Sequence, residues 1–299
     1  MADRPVLALF CAATALLANA APRAAVVRQD PEQKIFKSDL HPRLVTNLYA
    51  PKVGETKKSP VIFFSGEWGW RPLQQDTASY LASTGRLVLG IDGTTFFDGL
   101  IPVNELADDL AQFRAFANER AGRPRETPVI LIGFAWGAEM IPYVLNQIGA
   151  SDARGAVLIA PDKKGATRFR VGIQLKMDSP PGEGFDVEDQ LRRMAPIPVV
   201  LMEGTIDQAS AAKDLSAVPR GPHKYVPVAG GDRQFHEVRD GFFAVLADAL
   251  RWIDNTPLLS RQRPGPSAAA SPDASPEGPS PTPAPTAPSV VPGTTPPGD

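Results

Sequence analysis

The run Gly133-Phe134-Ala135-Trp136-Gly137 has the spacing of a nucleophile turn, with alanine at its centre. In G-x-S-x-G the glycines let the chain pass sharply from a strand into a helix. That turn lifts the middle side chain above a sheet, where a hydroxyl can attack a carbonyl. A methyl group cannot attack, so acyl-enzyme chemistry at Ala135 is excluded. Two partners belong with such a turn: a carboxylate, then a histidine, each on a later loop at a strand end. Asp207, in Glu203-Gly204-Thr205-Ile206-Asp207, stands where the acid belongs; the same place suits a loop carboxylate capping a helix near Ala209. The base position falls in Gly230-Gly231-Asp232-Arg233-Gln234-Phe235-His236. Arg233 occupies it, and an arginine stays protonated at any working pH, so it cannot serve as a base. His236, three residues on, is either a displaced substitute or a surface histidine beside the last helix.

An oxyanion hole at this turn would use the backbone amide of Trp136 and a second amide near Glu67 or Trp68. The loop that would supply it, Ser65-Gly66-Glu67-Trp68-Gly69-Trp70, is rich in glycine and tryptophan. Ser65, Glu67, Trp68 and Trp136 are therefore the candidate ligand-facing residues. Trp70 is a further wall, and Glu67, Glu139 and Asp207 are candidates to meet a cation. Ser65 and Thr205 are the hydroxyls placed to replace the missing serine. The three histidines, His41, His223 and His236, are far apart and Cys11 is the single cysteine. No zinc spacing exists, and neither a metal nor a cofactor is expected.

Stepping outward, short apolar runs must carry these loops. Strands are expected at 45–49, 61–64, 87–91, 128–132, 156–160, 198–202 and 225–228. Helices are expected at 73–83, 104–120, 139–147 and 240–253, where apolar residues recur at helical spacing. Residues 168–174 alternate and suggest a small antiparallel insertion. Continuous apolar strands alternating with helices imply an α/β fold, a mostly parallel sheet covered on both faces, and the turn makes it α/β-hydrolase-like.

The ends differ from this body. Residues 1–20 carry Arg4, an apolar run from Pro5 to Leu17, then Ala18-Asn19-Ala20, the layout of a cleavable secretory signal. An exported protein, periplasmic or at the cell surface, is expected, without a stable transmembrane span after cleavage. From residue 264 to 299, 12 of 36 residues are proline and none is aromatic, leucine, isoleucine or methionine, so that stretch is expected to be a disordered tail. The folded domain is expected at 34–258. A net charge of −2 with no basic stripe gives no case for nucleic acid.

Two segments resemble the AcvB/VirJ family of bacterial virulence proteins. Its members show S-G-D-G-G-W where this chain has Ser65-Gly66-Glu67-Trp68-Gly69-Trp70. They show L-I-G-Y-S-F-G-A-D-x-x-P where this chain has Leu131-Ile132-Gly133-Phe134-Ala135-Trp136-Gly137-Ala138-Glu139-Met140-Ile141-Pro142. The resemblance covers residues 45–255. It implies an envelope location and, for the catalytic relatives, hydrolysis of aminoacylated phospholipid of the lysyl-phosphatidylglycerol type by a Ser-Asp-His triad. Carried over by position, the nucleophile falls on Ala135, the acid on Asp207 and the base near Arg233. The expected function is a non-catalytic relative that binds a lipid head group or an envelope protein. The alternatives are an atypical hydrolase and an envelope interaction scaffold.

Overall fold

Alternating burial along short strands shows how one sheet comes to have two cores. Along β3 (Val61–Phe64), Ile62 and Phe64 face one cluster and Val61 and Phe63 the other. A period-2 chain sends successive side chains to opposite faces, so a strand covered on both sides must be apolar throughout. The computed structural model describes residues 30–36, 44–51, 58–149, 152–175, 177–194 and 196–258. The expected signal segment and the proline-rich tail lie outside the described residues, as do Cys11 and His41.

In chain order, β1 (Glu32–Phe36) and β2 (Leu44–Tyr49) precede β3. Then come α1 (Pro72–Ser83), β4 (Val88–Ile91), α2 (Gly93–Phe96), α3 (Val103–Arg120), β5 (Val129–Phe134) and α4 (Trp136–Ile148). The second half contains β6 (Ala153–Ile159), β7 (Lys164–Ala166), α5 (Val171–Gln174), β8 (Gly184–Asp186) and α6 (Val187–Arg193). It closes with β9 (Val199–Gly204), α7 (Ala212–Leu215), β10 (His223–Val228) and α8 (Arg239–Asn255). The main sheet runs β1-β2-β4-β3-β5-β6-β9-β10. Its six strands from β4 to β10 are parallel, and β1 and β2 are antiparallel additions at one edge. Loops that leave the parallel strands therefore gather at one end of the sheet.

One face is covered by α1 and α8, through Leu73, Leu81, Phe242, Phe243 and Leu246. The other is covered by α3, α4 and α6, through Leu106, Phe113, Val144 and Leu191. Each such side chain contributes roughly 1.5–3 kcal/mol on burial, so the two faces together supply the main folding force.

Two expectations change. The sheet begins at Glu32, before residue 34. The antiparallel insertion is formed by β7 pairing with β8, while residues 168–174 end in the short helical turn α5. The alternation of 168–174 had another origin: Phe169 is drawn inward against Trp136 with ring centroids 5.8 Å apart, and Arg168 and Arg170 reach out to Glu183.

Candidate functional site

The elbow is built where the sheet is deepest. β5 lies between β3 and β6, with Gly133 opposite Phe64 on one side and Leu158 on the other. At Ala135 the backbone adopts φ 50° and ψ −121°, a conformation that costs a non-glycine residue of order 1–3 kcal/mol. The flanking glycines are required by contact. A Cβ at Gly133 would stand 2.4 Å from the Gly137 carbonyl oxygen, and one at Gly137 would stand 2.3 Å from that of Ser65. The amide of Ala135 donates to Ile159 O at 2.8 Å, which ties the turn to β6. The geometry of a nucleophile turn is thus present around a methyl group that is wholly buried. Gly66 closes over it, near enough that a Cβ there would lie 3.3 Å from the Ala135 Cβ.

The expected oxyanion donor is occupied from within. The Trp136 amide donates to Glu67 Oε2 at 3.4 Å, and Glu67 is 3% exposed. The loop on which a second amide was expected brings the Glu67 carboxylate to the first amide. The Trp136 side chain is almost wholly buried and borders a separate cleft of about 210 Å³ with Glu139, Asp162 and Met177. It donates from Nε1 to Ala166 O at 3.0 Å and packs edge-on against Phe97. Trp70 leaves the site as well: its Nε1 donates to the Tyr49 hydroxyl, and its ring lies where a Cβ on Gly90 would sit. Ser65 is fully buried, and its hydroxyl accepts from the Gly93 amide at 2.9 Å, so it ties the β3 and β4 loops together. The Thr205 hydroxyl accepts from the Gly230 amide at 2.8 Å. Glu139 accepts from the Asp162 amide at 3.0 Å. Each of these groups accepts from a backbone amide.

The loops after β9 and β10 press together, because Gly204 leaves no room for a side chain: a Cβ there would be 2.1 Å from Gly231 O. That contact brings Asp207 to Arg233. Arg233 Nη1 is 3.5 Å from Asp207 Oδ2, and the Asp207 side chain is almost buried. The contact is an ion pair without hydrogen-bond geometry, since neither Oδ2 nor either Nη atom has a hydrogen-bond partner among the described residues. Asp207 Oδ1 also accepts from the Ala209 amide at 3.0 Å. Asp207 thus caps its own loop, since the next helix starts only at Ala212, and it faces Arg233.

His236 is placed by a different acid. Its Nδ1 lies 2.9 Å from Asp232 Oδ2, while Asp232 Oδ1 accepts from the amides of Gln234 and His236. Burial pushes the Asp232 carboxyl up, but these bonds together outweigh it and hold it below the usual carboxylate range. Between the two, Phe235 takes φ 52° and buries its ring in a stack on Phe242 with centroids 4.3 Å apart. The imidazole is thereby turned toward a cleft of about 330 Å³ floored by Gly66 and Phe134 and walled by Trp68, Arg71, Gln74 and Gln234. Arg71, Gln74, Gln234 and Asp232 were missed in the sequence. Only Asp232 left a signal there, four residues before His236. Among the described residues, no group of three or more His, Cys, Asp or Glu is placed to hold a metal ion.

Residues 59–251 match the sequence model of a family described as bacterial virulence protein (VirJ). None of the curated proteins matches. Solved structures share the fold. The esterase domain of a Rhodothermus marinus protein is 16% identical with a TM-score of 0.54, covering 76% of this chain and 99% of that one. Est1E from Butyrivibrio proteoclasticus is 14% identical with a TM-score of 0.54, covering 74% and 99%. The esterase Est2 of Thermogutta terrifontis is 15% identical with a TM-score of 0.53, covering 78% and 95%. At these identities the likeness is one of fold, that of the α/β-hydrolases.

Proposed function

The chain belongs to the VirJ family of bacterial virulence proteins, and from that membership we propose that it is an exported pseudohydrolase that binds a lipid head group or an envelope partner rather than cleaving one. One observation carries this reading. The elbow residue is a buried alanine, and the amide that would stabilise an oxyanion is held by the protein's own Glu67. Catalysis by such a turn needs a nucleophile, a base and a vacant donor site at once. Here the first is a methyl group, the second an arginine, and the third is filled. What stays open is the adjoining cleft at Trp68, Arg71 and His236, and binding is assigned there.

A second reading, an atypical hydrolase of an aminoacylated phospholipid or another ester, is favoured by the Asp232–His236 pair. A histidine oriented by a carboxylate is the arrangement that activates water. One comparison separates the two. Ester and aminoacyl-lipid hydrolysis is measured for the unmodified protein, for Ala135→Ser with Arg233→His, and for those two changes with Glu67→Ala. The unmodified protein should be inert and the triple variant should exceed the double. Enzyme-like turnover by the unmodified protein that His236→Ala abolishes would sink the pseudohydrolase reading and establish the second.

A further inference from the structure

β10 closes one edge of the main sheet, and among the described residues no strand pairs with its outer side. The ladder to β9 fixes which backbone groups that side presents. The Val199 amide donates to Pro222 O and the Thr205 amide to Val228 O, so the even-numbered residues of β10 turn their amides and carbonyls to β9. By the period of two, those of His223, Tyr225 and Pro227 turn outward. Pro227 has no amide, so the edge presents the donors of His223 and Tyr225 and the acceptors of all three. The packing beside this edge is also incomplete. On one face Val226 of β10 and Val245 and Trp252 of α8 are only partly buried, and on the other face the same holds for Tyr225. Between β10 and the start of α8 runs a groove of about 730 Å³, lined by Pro227, Val228 and Val245 and by the exposed residues Glu237 and Asp240. Near the other end of the strand the exposed Lys224 stands over the Trp252 ring, 4.9 Å from its centroid.

An edge strand is a template for another strand, and a two-fold contact requires that the strand complement itself. Antiparallel pairing of β10 with its copy does so when Tyr225 lies opposite the partner's Tyr225. The two tyrosines then exchange both backbone bonds, and each His223 amide donates to the partner's Pro227 carbonyl. Every outward amide of the pair is satisfied, and the proline falls where only its acceptor is used. The neighbouring registers are worse. Centring on Lys224 sets two ammonium groups directly opposite each other. Centring on Val226 carries the His223 amide past the end of the strand, to Ala229. In the Tyr225 register each Lys224 lies opposite the partner's Val226 and diagonal to the partner's Val228, where the partner's groove opens with Glu237 and Asp240. A positive charge on each copy thus meets negative charges on the other, once at either end of the pair. Opposed residues share a face of the sheet, so the part-exposed apolar side chains of the two copies are brought together. Strand and helix engage about a dozen residues a side, roughly half of a standard interface, so the association is weak.

We propose that the outer edge of β10 is a dimerisation surface, on which a second copy of this chain pairs antiparallel about Tyr225. The proposal does not depend on what the cleft beside Gly66 binds. Sedimentation equilibrium of the whole protein, from roughly 1 to 300 µM, should show a reversible dimer with a Kd of about 10 µM. Val226→Lys sets a lysine opposite the partner's Lys224 and should weaken association at least 10-fold. Adding Lys224→Glu should bring it back to within about 3-fold of the parent, because each glutamate then faces a lysine. Both positions are at least partly exposed, and an unchanged melting midpoint at low concentration checks that the variants are folded. Amide exchange supplies a second reading. The outward amides of His223 and Tyr225 should exchange about 5-fold more slowly at 300 µM than at 1 µM, whereas those of Lys224 and Val226, bonded to β9, should not respond to concentration. The proposal is overturned if the protein is monomeric at 300 µM, even where an extended peptide of another protein covers the edge. It is overturned as well if Val226→Lys associates as the parent does, or if the charge swap associates no better than Val226→Lys alone.

Discussion

At Ala135 a single residue combines two facts that ordinarily exclude each other. Its side chain has no reactive atom, yet its backbone keeps the positive φ that serves to present one. Glycine adopts that conformation freely, and the alanine methyl is worth about 0.8 kcal/mol of burial against roughly 1–3 kcal/mol of backbone strain. Ala135→Gly should therefore stabilise the protein by about 1 kcal/mol, seen as a higher thermal midpoint. A lower midpoint would mean that the methyl contacts beneath Gly66 outweigh the strain. The neighbouring charges follow a similar logic. Glu67 lies against an amide that catalysis would need vacant, and Arg233 gives Asp207 a permanent cation where a triad needs a group that exchanges protons.

Among the elements, α3 carries the clearest conflict with its surroundings. Its buried side chains include Leu106, Leu110 and Phe113, and also Asp109, which is 6% exposed with an Oδ2 that has no hydrogen-bond partner among the described residues. Burial first, and then the nearby Glu105 and Asp108, push its carboxyl up to about 6. Between the ordinary carboxylate value and 6, the folded chain holds a proton that the unfolded chain has released. Stability conferred by that proton is present at low pH and is lost as pH rises through 6. Asp109→Asn removes the charge, so it should raise stability at pH 8 by about 1–3 kcal/mol and flatten the stability profile between pH 4 and 7. Denaturant unfolding at pH 4.5, 6 and 8 reads both effects. A variant no more stable than the parent at pH 8 would contradict the assignment. α4 shows the opposite case, an element whose odd residue is tolerated. Pro142 lies inside it, yet the helix is buried on nearly every side, and that packing offsets the lost backbone bond.

For the whole molecule, the parallel sheet decides where everything functional must be. Six strands that point one way deliver the elbow, the Glu67 loop, the Asp207 loop and the His236 loop to a single end. The buried clusters among the described residues run from Leu48 to Ile253, and residues 264–299 hold no aromatic, leucine, isoleucine or methionine side chain to add to a core. A chain ending after Leu258 should therefore melt within about 1 °C of the full chain, by differential scanning calorimetry. A drop of several degrees would assign residues 259–299 a place in the folded body. No described helix is long and apolar enough to cross a membrane.

Local sequence fixes what local chemistry decides. The apolar runs of β3, β5 and β9 had to be buried on both faces, because they offer no polar side to water, and Gly133 and Gly137 marked a turn that no larger residue could make. The alanine at 135 and the arginine at 233 were legible as side chains that neither attack a carbonyl nor take up a proton, since a side chain's reactivity travels with its identity. What the neighbours do to one another was not legible. That Glu67 would reach the Trp136 amide, that Trp70 would settle on Gly90 and leave the site, and that His236 would turn on Asp232 toward a cleft with Arg71 all depend on contacts between loops distant in sequence. Such contacts are set by how the two packed faces and the pressed glycines at Gly204 and Gly231 position the strand ends. The sequence therefore determined which side chains stand at the turn and on the loops beside it. Only the tertiary structure decided that Glu67 would reach the Trp136 amide and that a cleft would stand beside Gly66.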